Sequence, residues 1–297
     1  MSPPQLASEN NVIIKTMKID GRLIASNILY GLKTRVDVLK ELGVIPTMAV
    51  ILIGDVQSSN AYVKQKELKA KQIGTEVQIF RFENNVTNEE IEALIKKLDN
   101  DSKIHGIILQ RPTPDTIDAE NLENSISPQK EIDGFGKDSL YIVPVAAAVF
   151  EILGEIFGNL NEQKSFSAWL QSKQVIVLGK GETAGQPIIN YLNKREINPI
   201  IVDSRTENAK EVLNKADIII SAIGKRGAIN VSELKPGVIL IGVGLSADEI
   251  GKTQGDYDES ELEEIAAFYT PTPGGIGPIN VALLLENLVE AAESLSR

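Results

Sequence analysis

Residues 175–192, VIVLGKGETAGQPIINYL, decide the fold of this chain. An apolar run ends at Gly179, and a glycine-rich turn then leads into a helical pattern. Free backbone N–H groups at a helix N-terminus bind phosphate, and glycine lets a pyrophosphate approach the backbone closely. The spacing of Gly179, Gly181 and Gly185 is one residue longer than the common dinucleotide-binding fingerprint. The stretch therefore predicts a strand–turn–helix unit that holds a dinucleotide, with an ordinary strand–helix turn as the alternative.

The next apolar run, at residues 199–203, ends in Asp203. An acidic residue in this region commonly accepts a hydrogen bond from the ribose hydroxyl of NAD. Ser204 and Arg205 follow directly, and the planar donor fork of arginine suits the 2′-phosphate of NADP. Because the two features favour different dinucleotides, the sequence leaves the choice between NAD and NADP open.

Apolar runs alternate with helical patterns over the rest of the chain. Strands are predicted at residues 47–53, 76–82, 106–110, 174–178, 199–203, 217–222 and 237–241, and helices at 21–42, 59–73, 88–99, 144–156 and 281–296. Thr87 and Glu90 form a capping-box pattern at the start of the helix at 88–99. Short, fully apolar strands between helices predict an α/β fold with parallel sheets. The polar stretch 159–173 is expected to be an irregular connection between two domains.

The composition excludes several classes of protein. The 297 residues have a net charge of −11, which argues against nucleic acid or an anionic membrane as the main partner. Cysteine is absent and His105 is the only histidine, so disulfides, thiolate nucleophiles and His-rich metal sites are excluded, and no metal is expected. No leader pattern and no apolar stretch near the ~20 residues of a membrane span are present, which favours the cytoplasm. His105 is expected to be a surface or cap residue, and Trp169 a packing residue.

A basic segment stands out in this acidic chain at residues 59–71, SNAYVKQKELKAK. Tyr62 and Lys66 are four residues apart and share one helix face with Ser59. Taken alone, this pattern is most often that of a solvated amphipathic helix, and only its combination with the other segments of the chain favours a functional role.

Three further segments carry polar or rigid residues at places where ligands bind. Gln110 ends a predicted strand and is followed by Pro112, and ligands of open α/β sheets bind beyond the carboxyl ends of strands. Asp133 lies in the glycine-rich loop EIDGFGKDS. Residues 270–280, TPTPGGIGPIN, combine three prolines with three glycines before a helix. Such rigid and permissive backbone predicts a shaped binding wall.

Taken together, these segments resemble the bifunctional methylenetetrahydrofolate dehydrogenase/cyclohydrolase family from about Asp20 to Asn287. The resemblance implies a two-domain α/β protein. A folate-binding catalytic domain would span residues 1–145 plus 276–297, and a Rossmann-type parallel-sheet domain for the dinucleotide would span 146–275. It also implies a homodimer formed through the Rossmann domains. The implied activity is oxidation of methylenetetrahydrofolate with NADP or NAD, followed by hydrolysis to formyltetrahydrofolate in one-carbon metabolism.

The resemblance also implies roles for individual residues. Lys66 is the key catalytic group, Tyr62 stacks on the pterin-side rings, and Gln110 and Asp133 tune the lysine and anchor the pterin. The implied substrate-binding residues are Ser59, Tyr62, Pro112, Asp133, Pro273, Gly274 and Gly275. The implied cofactor-binding residues are Gly179, Lys180, Gly181, Gly185, Asp203, Ser204, Arg205, Gly224 and Leu245.

Two departures from the family pattern keep other functions open. Gly181 replaces a small polar residue in the dinucleotide turn, and residues 143–153, VPVAAAVFEIL, lack the threonine of a Pro-Cys-Thr-Pro-like segment. A monofunctional dehydrogenase and a non-catalytic folate- or dinucleotide-binding protein are therefore the alternatives.

Overall fold

The structure, a computed structural model, describes residues 15–55, 57–160, 162–248 and 253–296. The helices in these ranges are α1 (Gly21–Glu41), α2 (Gln57–Ile73), α3 (Asn88–Asp99), α4 (Ala119–Asn124), α5 (Pro144–Gly158), α6 (Phe166–Gln171), α7 (Gly185–Lys194), α8 (Ala209–Asn214) and α9 (Ile276–Leu295). The strands are β1 (Met17–Lys18), β2 (Thr47–Ile53), β3 (Glu76–Phe82), β4 (Gly106–Leu109), β5 (Val175–Leu178), β6 (Ile200–Val202), β7 (Ile218–Ser221), β8 (Val238–Gly242), β9 (Ser246–Ala247), β10 (Thr253–Gln254) and β11 (Ala266–Tyr269).

The first lobe is built on a parallel sheet of three strands in the order β3-β2-β4. All seven residues of the central strand β2 are buried, as expected for a strand covered on both faces. The N–H of Gln110 donates to the carbonyl of Ile51 at 2.8 Å, which extends the ladder by one residue beyond β4. The side chain of Gln110 is thereby fixed at the carboxyl edge of this sheet.

The second lobe is built on a parallel sheet of six strands in the order β1-β11-β8-β7-β5-β6. Leu178 pairs with Val202 and with Ser221, and Ser221 pairs with Gly242, so the carboxyl ends of four strands meet at one edge. This is the edge at which doubly wound sheets bind nucleotides. The predicted two-domain α/β architecture with parallel sheets is confirmed.

Helix α9 carries the chain back to the first lobe. It packs against α1, α2 and α5, and α5 also packs against α7 of the second lobe. One continuous cluster of buried apolar side chains therefore runs through both lobes. The predicted domain boundaries after residues 145 and 275 stay predictions.

Two predictions of local structure are wrong in part. The stretch 159–173 contains α6, which Ser165 caps by accepting from the N–H of Ala168, and Trp169 of this helix is 1% exposed. This helix was not predicted because its short apolar segment is surrounded by polar residues. The predicted packing role of Trp169 is confirmed. The last helix begins at Ile276 rather than at residue 281, because Pro278 lies in its first turn, where its missing N–H costs no hydrogen bond.

Of the surface or cap position predicted for His105, the surface position is wrong. His105 is buried, and its Nδ1 accepts from the backbone N–H of Thr47 at 3.2 Å. Thr47 is the first residue of β2, where a buried N–H needs an acceptor from outside the strand ladder. Burial also lowers the pKa of His105, which agrees with a neutral imidazole that accepts a hydrogen bond.

Candidate active site

Lys66 is the one lysine of the basic segment that faces inward. Lys64 and Lys71 on the same helix are exposed, whereas Lys66 is 3% exposed. Its Nζ donates to Oε1 of Gln110 at 3.0 Å. A buried ammonium is costly, so a lysine is rarely placed in such a position without a function. The arrangement therefore favours the catalytic interpretation of α2 over that of a solvated amphipathic helix.

Burial has the largest effect on the pKa of Lys66. Burial lowers its pKa, and the carboxylate of Asp133 acts in the opposite direction. Gln110 cannot turn its amide around, because its Nε2 donates to the carbonyl of Arg111 at 2.7 Å. Its oxygen is thus held toward Nζ as a fixed acceptor. This environment makes loss of the lysine proton easier, and one hydrogen bond sets the orientation of Nζ.

Tyr62 lies one helical turn before the lysine. The centre of its ring is 5.5 Å from Nζ of Lys66, and its hydroxyl is hydrogen-bonded to Nδ2 of Asn280 on α9. Burial raises the pKa of Tyr62 to about 12, so the phenol stays protonated. The sequence does not predict a role for Asn280, although this residue ends the proline- and glycine-rich stretch 270–280.

Ser59 supplies a polar atom without a partner. It is 3% exposed, and its Oγ makes no hydrogen bond to any residue that the structure describes. A buried hydroxyl left in this state costs free energy, and such groups commonly mark functional positions. Since Ser59 and Lys66 are seven residues apart on α2, the hydroxyl lies on the same helix face as the lysine. The structure therefore provides a donor that a ligand in this site can satisfy.

The loop that carries Asp133 is held from two sides. Oε2 of the buried Glu131 accepts from the N–H groups of Gly134 and Gly136 at 3.1 and 3.2 Å. From α9, Nδ2 of Asn287 donates to the carbonyl of Ile132 at 2.8 Å. Gly134 has a φ of +80°, and a Cβ there would lie 2.6 Å from the N of Val143. Asp133 is thereby presented on a rigid turn, close enough to Lys66 and Tyr62 to affect both pKa values.

The loop 273–275 is pressed against the start of α1. Gly274 has a φ of +120°, and a Cβ on Gly275 would lie 2.8 Å from the carbonyl oxygen of Pro271. A Cβ on Gly21, the first residue of α1, would collide with the carbonyl of Gly275. Both glycines of the loop are buried and Pro273 is exposed. This rigid wall immediately precedes α9, which carries Asn280.

The predicted dinucleotide turn has the packing that its glycines imply. Gly179 has a φ of +90°, and a Cβ there would lie 2.9 Å from the carbonyl oxygen of Ala222. A Cβ on Gly185 would run into the carbonyl of Gly179, whereas one on Gly181 would meet no atom within 4 Å. The first and third glycines are therefore required by strand–helix packing, and the second leaves open space above the turn.

Three charged side chains meet at the end of β6. Asp203 pairs with Nζ of Lys180 at 2.9 Å and with Nη2 of Arg205 at 3.1 Å. The pKa of Asp203 is held well below its usual range. The hydrogen bond from Lys180 makes the largest contribution, and hydrogen bonds from the backbone N–H and the side chain of Arg205 make the next largest. The cluster therefore contains one carboxylate and two cations, and Ser204 is exposed beside it.

The remaining predicted cofactor residues lie on the neighbouring loops. Gly224 follows β7 with a φ of +72°, and a Cβ there would lie 3.0 Å from the carbonyl oxygen of Leu245. Asp256, which was not predicted, is buried below this loop and accepts from the N–H groups of Ile223 and Lys225 at 3.1 and 2.9 Å. Its carboxylate fixes the backbone around Gly224.

The two lobes are separated by a cavity of about 750 Å³. Arg111, Pro112 and Phe135 line it from the first lobe, and Glu182 and Gln186 line it from the second. Lys66 and Tyr62 are not among the lining residues, so this space extends from the neighbours of Gln110 toward the dinucleotide turn. Arg111 crosses it, with Nη1 at 3.2 Å from Oε2 of Glu182.

Two negative findings apply to the described part of the chain. No group of three or more His, Asp or Glu side chains is arranged there to hold a metal ion. Within the same ranges, no helix has the length and apolar character needed to cross a bilayer.

Comparisons with known proteins agree with this geometry. One family model, the catalytic domain of tetrahydrofolate dehydrogenase/cyclohydrolase, matches residues 19–133, and a second, its NAD(P)-binding domain, matches residues 159–296. The chain is 34% identical over 283 residues to the bifunctional protein FolD of Lactococcus lactis subsp. cremoris, which covers 92% of this chain and 96% of that protein.

Two solved structures share the fold over almost their full length. The bifunctional FolD enzyme of Campylobacter jejuni superposes with a TM-score of 0.86 at 29% identity, covering 94% of this chain and 99% of that one. The Trypanosoma brucei enzyme, solved in complex with NADP and an inhibitor, gives a TM-score of 0.84 at 28% identity, with coverage of 94% and 98%.

Proposed function

Since the chain belongs to the tetrahydrofolate dehydrogenase/cyclohydrolase family, we propose that Lys66 and the residues around it form the site of its two reactions. The first reaction oxidises methylenetetrahydrofolate to methenyltetrahydrofolate with a nicotinamide dinucleotide, and the second hydrolyses that product to formyltetrahydrofolate. The observation that carries the proposal is a lysine that is 3% exposed, with its Nζ held by the oxygen of Gln110.

In the hydrolysis, Lys66 acts as the proton carrier. Water adds to the cationic methenyl carbon and loses one proton. The bond from that carbon to N5 of the pterin then breaks as N5 takes up a proton, and the hydroxyl of the adduct releases its remaining proton to solvent as it becomes the formyl carbonyl. A neutral lysine accepts the first proton and returns it to N5, which is general base catalysis followed by general acid catalysis. Because burial lowers the pKa of Lys66, the neutral amine is favoured beside a cationic substrate, which an ammonium would repel.

The neighbouring residues hold the folate in place. Tyr62 offers a ring face to the pterin, and its contact with Asn280 fixes that ring. Asp133 accepts from the N–H groups of the pterin, a charge-assisted contact. The unpartnered hydroxyl of Ser59 supplies a further hydrogen bond. Pro112, Pro273, Gly274 and Gly275 form the walls of the folate site.

The second lobe places the dinucleotide against this site. A nicotinamide bound there would supply the acceptor for the hydride that leaves the methylene carbon of the folate. The N–H groups between Gly179 and Gly185 receive the pyrophosphate at the start of α7, and Gly224 and Leu245 flank the dinucleotide on the next loops. The tight packing of Gly179 and Gly185 and the open space at Gly181 support this fit.

NADP is the dinucleotide that the charges at the end of β6 favour. Lys180 and Arg205 bring two cations to one carboxylate, so the cluster keeps a net positive charge for a 2′-phosphate beside Ser204. Asp203 acts in the opposite direction, since it can accept from the ribose hydroxyls of NAD. It moves the preference toward NAD relative to a neutral residue at the same position.

A homodimer through the second lobe is supported by the edge strand β6. This strand pairs on one side only, and its residues Ile200 and Ile201 are 40% and 41% exposed. Exposed apolar edge strands readily pair with another chain. A cytoplasmic location is supported by the absence of cysteine, which suits a reducing compartment.

A spectrophotometric assay separates the bifunctional enzyme from its alternatives. With methylenetetrahydrofolate and NADP or NAD, reduced dinucleotide and methenyl absorbance rise together, and the methenyl signal then decays faster than in buffer alone. A monofunctional dehydrogenase gives the rise without the faster decay. No reduction with either dinucleotide identifies a non-catalytic binding protein.

The role of Lys66 is tested by Lys66→Met, with Lys64→Met as the matched control on the exposed face of α2. We expect Lys66→Met to slow hydrolysis of methenyltetrahydrofolate by about 10²- to 10⁴-fold, the usual contribution of a general acid–base group, and Lys64→Met to leave it unchanged. The wild-type rate should also rise with pH as Lys66 loses its proton. A Lys66→Met protein with a near-normal hydrolysis rate removes lysine from the mechanism.

A further inference from the structure

Arg111 occupies a junction between the catalytic residues and the dinucleotide turn. It directly follows Gln110, and its backbone carbonyl accepts from Nε2 of Gln110 at 2.7 Å. Its side chain leaves the first lobe and reaches Glu182, which lies between Gly179 and Gly185 of the turn.

The guanidinium is held firmly on one edge only. Its Nε and Nη2 donate to the two carboxylate oxygens of Glu123 at 2.8 and 2.6 Å, and the side chain of Glu123 is 3% exposed. The ring of Phe135 lies 4.9 Å from the guanidinium carbon. These contacts use one side of the planar group and leave Nη1 directed at the second lobe.

The partner of Nη1 is held much less firmly. The side chain of Glu182 is 87% exposed, and exposed ion pairs contribute little to stability, so Glu182 can turn into solvent at small cost. Arg111 cannot turn into solvent at small cost, because breaking its pair with Glu123 would leave a buried carboxylate without a counter-charge. When the pair opens, Nη1 remains as a fixed donor in the cavity between the lobes.

The position of Glu182 is unfavourable for the expected reactant. A carboxylate within a phosphate-binding turn repels the pyrophosphate that the turn receives, and in the present structure Arg111 neutralises it. An arginine that points at such a turn is suited to anionic oxygen, because its donors match carboxylate and phosphate.

We infer that Arg111 is a reactant-binding residue whose Nη1 passes from Glu182 to an anionic oxygen of a bound reactant, so that Glu182 acts as an internal placeholder for that anion. Two reactants carry such oxygens, the pyrophosphate of the dinucleotide and the glutamate carboxylates of the folate. The inference rests on the proposed function, because that function brings both reactants to this cavity.

The test is direct binding of each reactant alone, measured by isothermal titration calorimetry. NADP is titrated without folate, and 5-formyltetrahydrofolate is titrated without dinucleotide. The variants are Glu182→Gln, which removes the placeholder charge at an exposed position, and Arg111→Lys, which keeps a cation for Glu123 but loses the donor fork. Glu120→Gln is the control, since it neutralises an exposed acid that lines the same cavity.

We expect Glu182→Gln to tighten binding of one reactant several-fold and Arg111→Lys to weaken binding of the same reactant by about tenfold, the factor for one charged hydrogen bond. An effect on NADP identifies the pyrophosphate as the anion, and an effect on the folate identifies its carboxylates. If neither variant shifts either dissociation constant more than Glu120→Gln does, the inference is overturned. A wild-type protein that binds neither reactant overturns the proposed function as well.

Discussion

The substitution Glu131→Gln should remove a specific part of the pH dependence of stability. Glu131 is 1% exposed, below the loop that carries Asp133. Burial raises its pKa to about 7, the carboxylates of Asp133 and Glu123 add to the rise, and hydrogen bonds from Ser139 and Gly136 oppose it. Tyr141 also lies within electrostatic reach, and Glu123 is paired with Arg111.

The magnitude follows from proton linkage. The ordinary pKa of Glu131 is 4.5 and its pKa in the fold is about 7, a difference of about 2.5 at about 1.4 kcal/mol for each pH unit, or about 3.5 kcal/mol in total. Because the pKa is raised, the folded chain keeps a proton that the unfolded chain has lost between these pH values. The stabilisation is therefore fully present below pH 4.5 and is lost as the pH rises through 7.

The assay is urea unfolding of the wild type and of Glu131→Gln at several pH values from 5 to 8, followed by circular dichroism. Glutamine has nearly the same shape, can still accept from the N–H groups of Gly134 and Gly136, and does not titrate. The difference in free energy of unfolding between the two proteins should change by about 2 to 3 kcal/mol across this range, in favour of the variant at high pH. Glu120→Gln, an exposed neutralisation nearby, should show no such change. Parallel curves for wild type and Glu131→Gln would refute the reasoning.

The remaining predictions concern the dinucleotide and the assembly. Asp203→Ser should raise the ratio of kcat/KM for NADP over that for NAD several-fold, because it removes a carboxylate that competes with the 2′-phosphate; an unchanged ratio would remove Asp203 from cofactor selection. Ile201→Lys should convert a dimer into a monomer in light scattering after gel filtration, because a charge on an edge strand prevents pairing with another chain. A wild-type protein that is already monomeric would contradict the proposed interface, and so would an unchanged mass in the variant.

Local chemistry explains why much of the fold could be predicted from the sequence. The strand β2 is a run of seven apolar or β-branched residues and lies where its composition places it. The capping box at α3 is confirmed in both hydrogen bonds, because Thr87 and Glu90 are three residues apart and need nothing else from the fold. Gly179 could also be identified from local sequence, because the tight turn that connects a strand to a phosphate-binding loop needs a glycine at its first position.

Long-range pairing explains what the sequence did not reveal. Residues Met17–Lys18 form β1, which pairs in parallel with β11 in the sheet of the second lobe, although the chain then enters the first lobe. A strand of two residues is too short to show the alternation of apolar and polar side chains, so its conformation is determined by pairing with the partner strand. Asn280 and Asp256 were missed for a related reason. Their roles are hydrogen bonds to residues far away in the sequence, and neither residue type is unusual in its own segment.

The candidate active site depends on the final helix more than on any local motif. Asn280 holds the hydroxyl of Tyr62, and Asn287 holds the loop of Asp133, so α9 fixes both groups that are proposed to orient the pterin. The loop before α9 is seated against the first residue of α1 at Gly21. Gln110, the hydrogen-bond partner of Lys66, is fixed within the sheet of the first lobe, but the contacts that hold Tyr62 and the loop of Asp133 form only after the chain has passed through the second lobe and returned. The order of segments thus ties the geometry of the folate site to completion of the dinucleotide lobe, which couples the folding of the two sites.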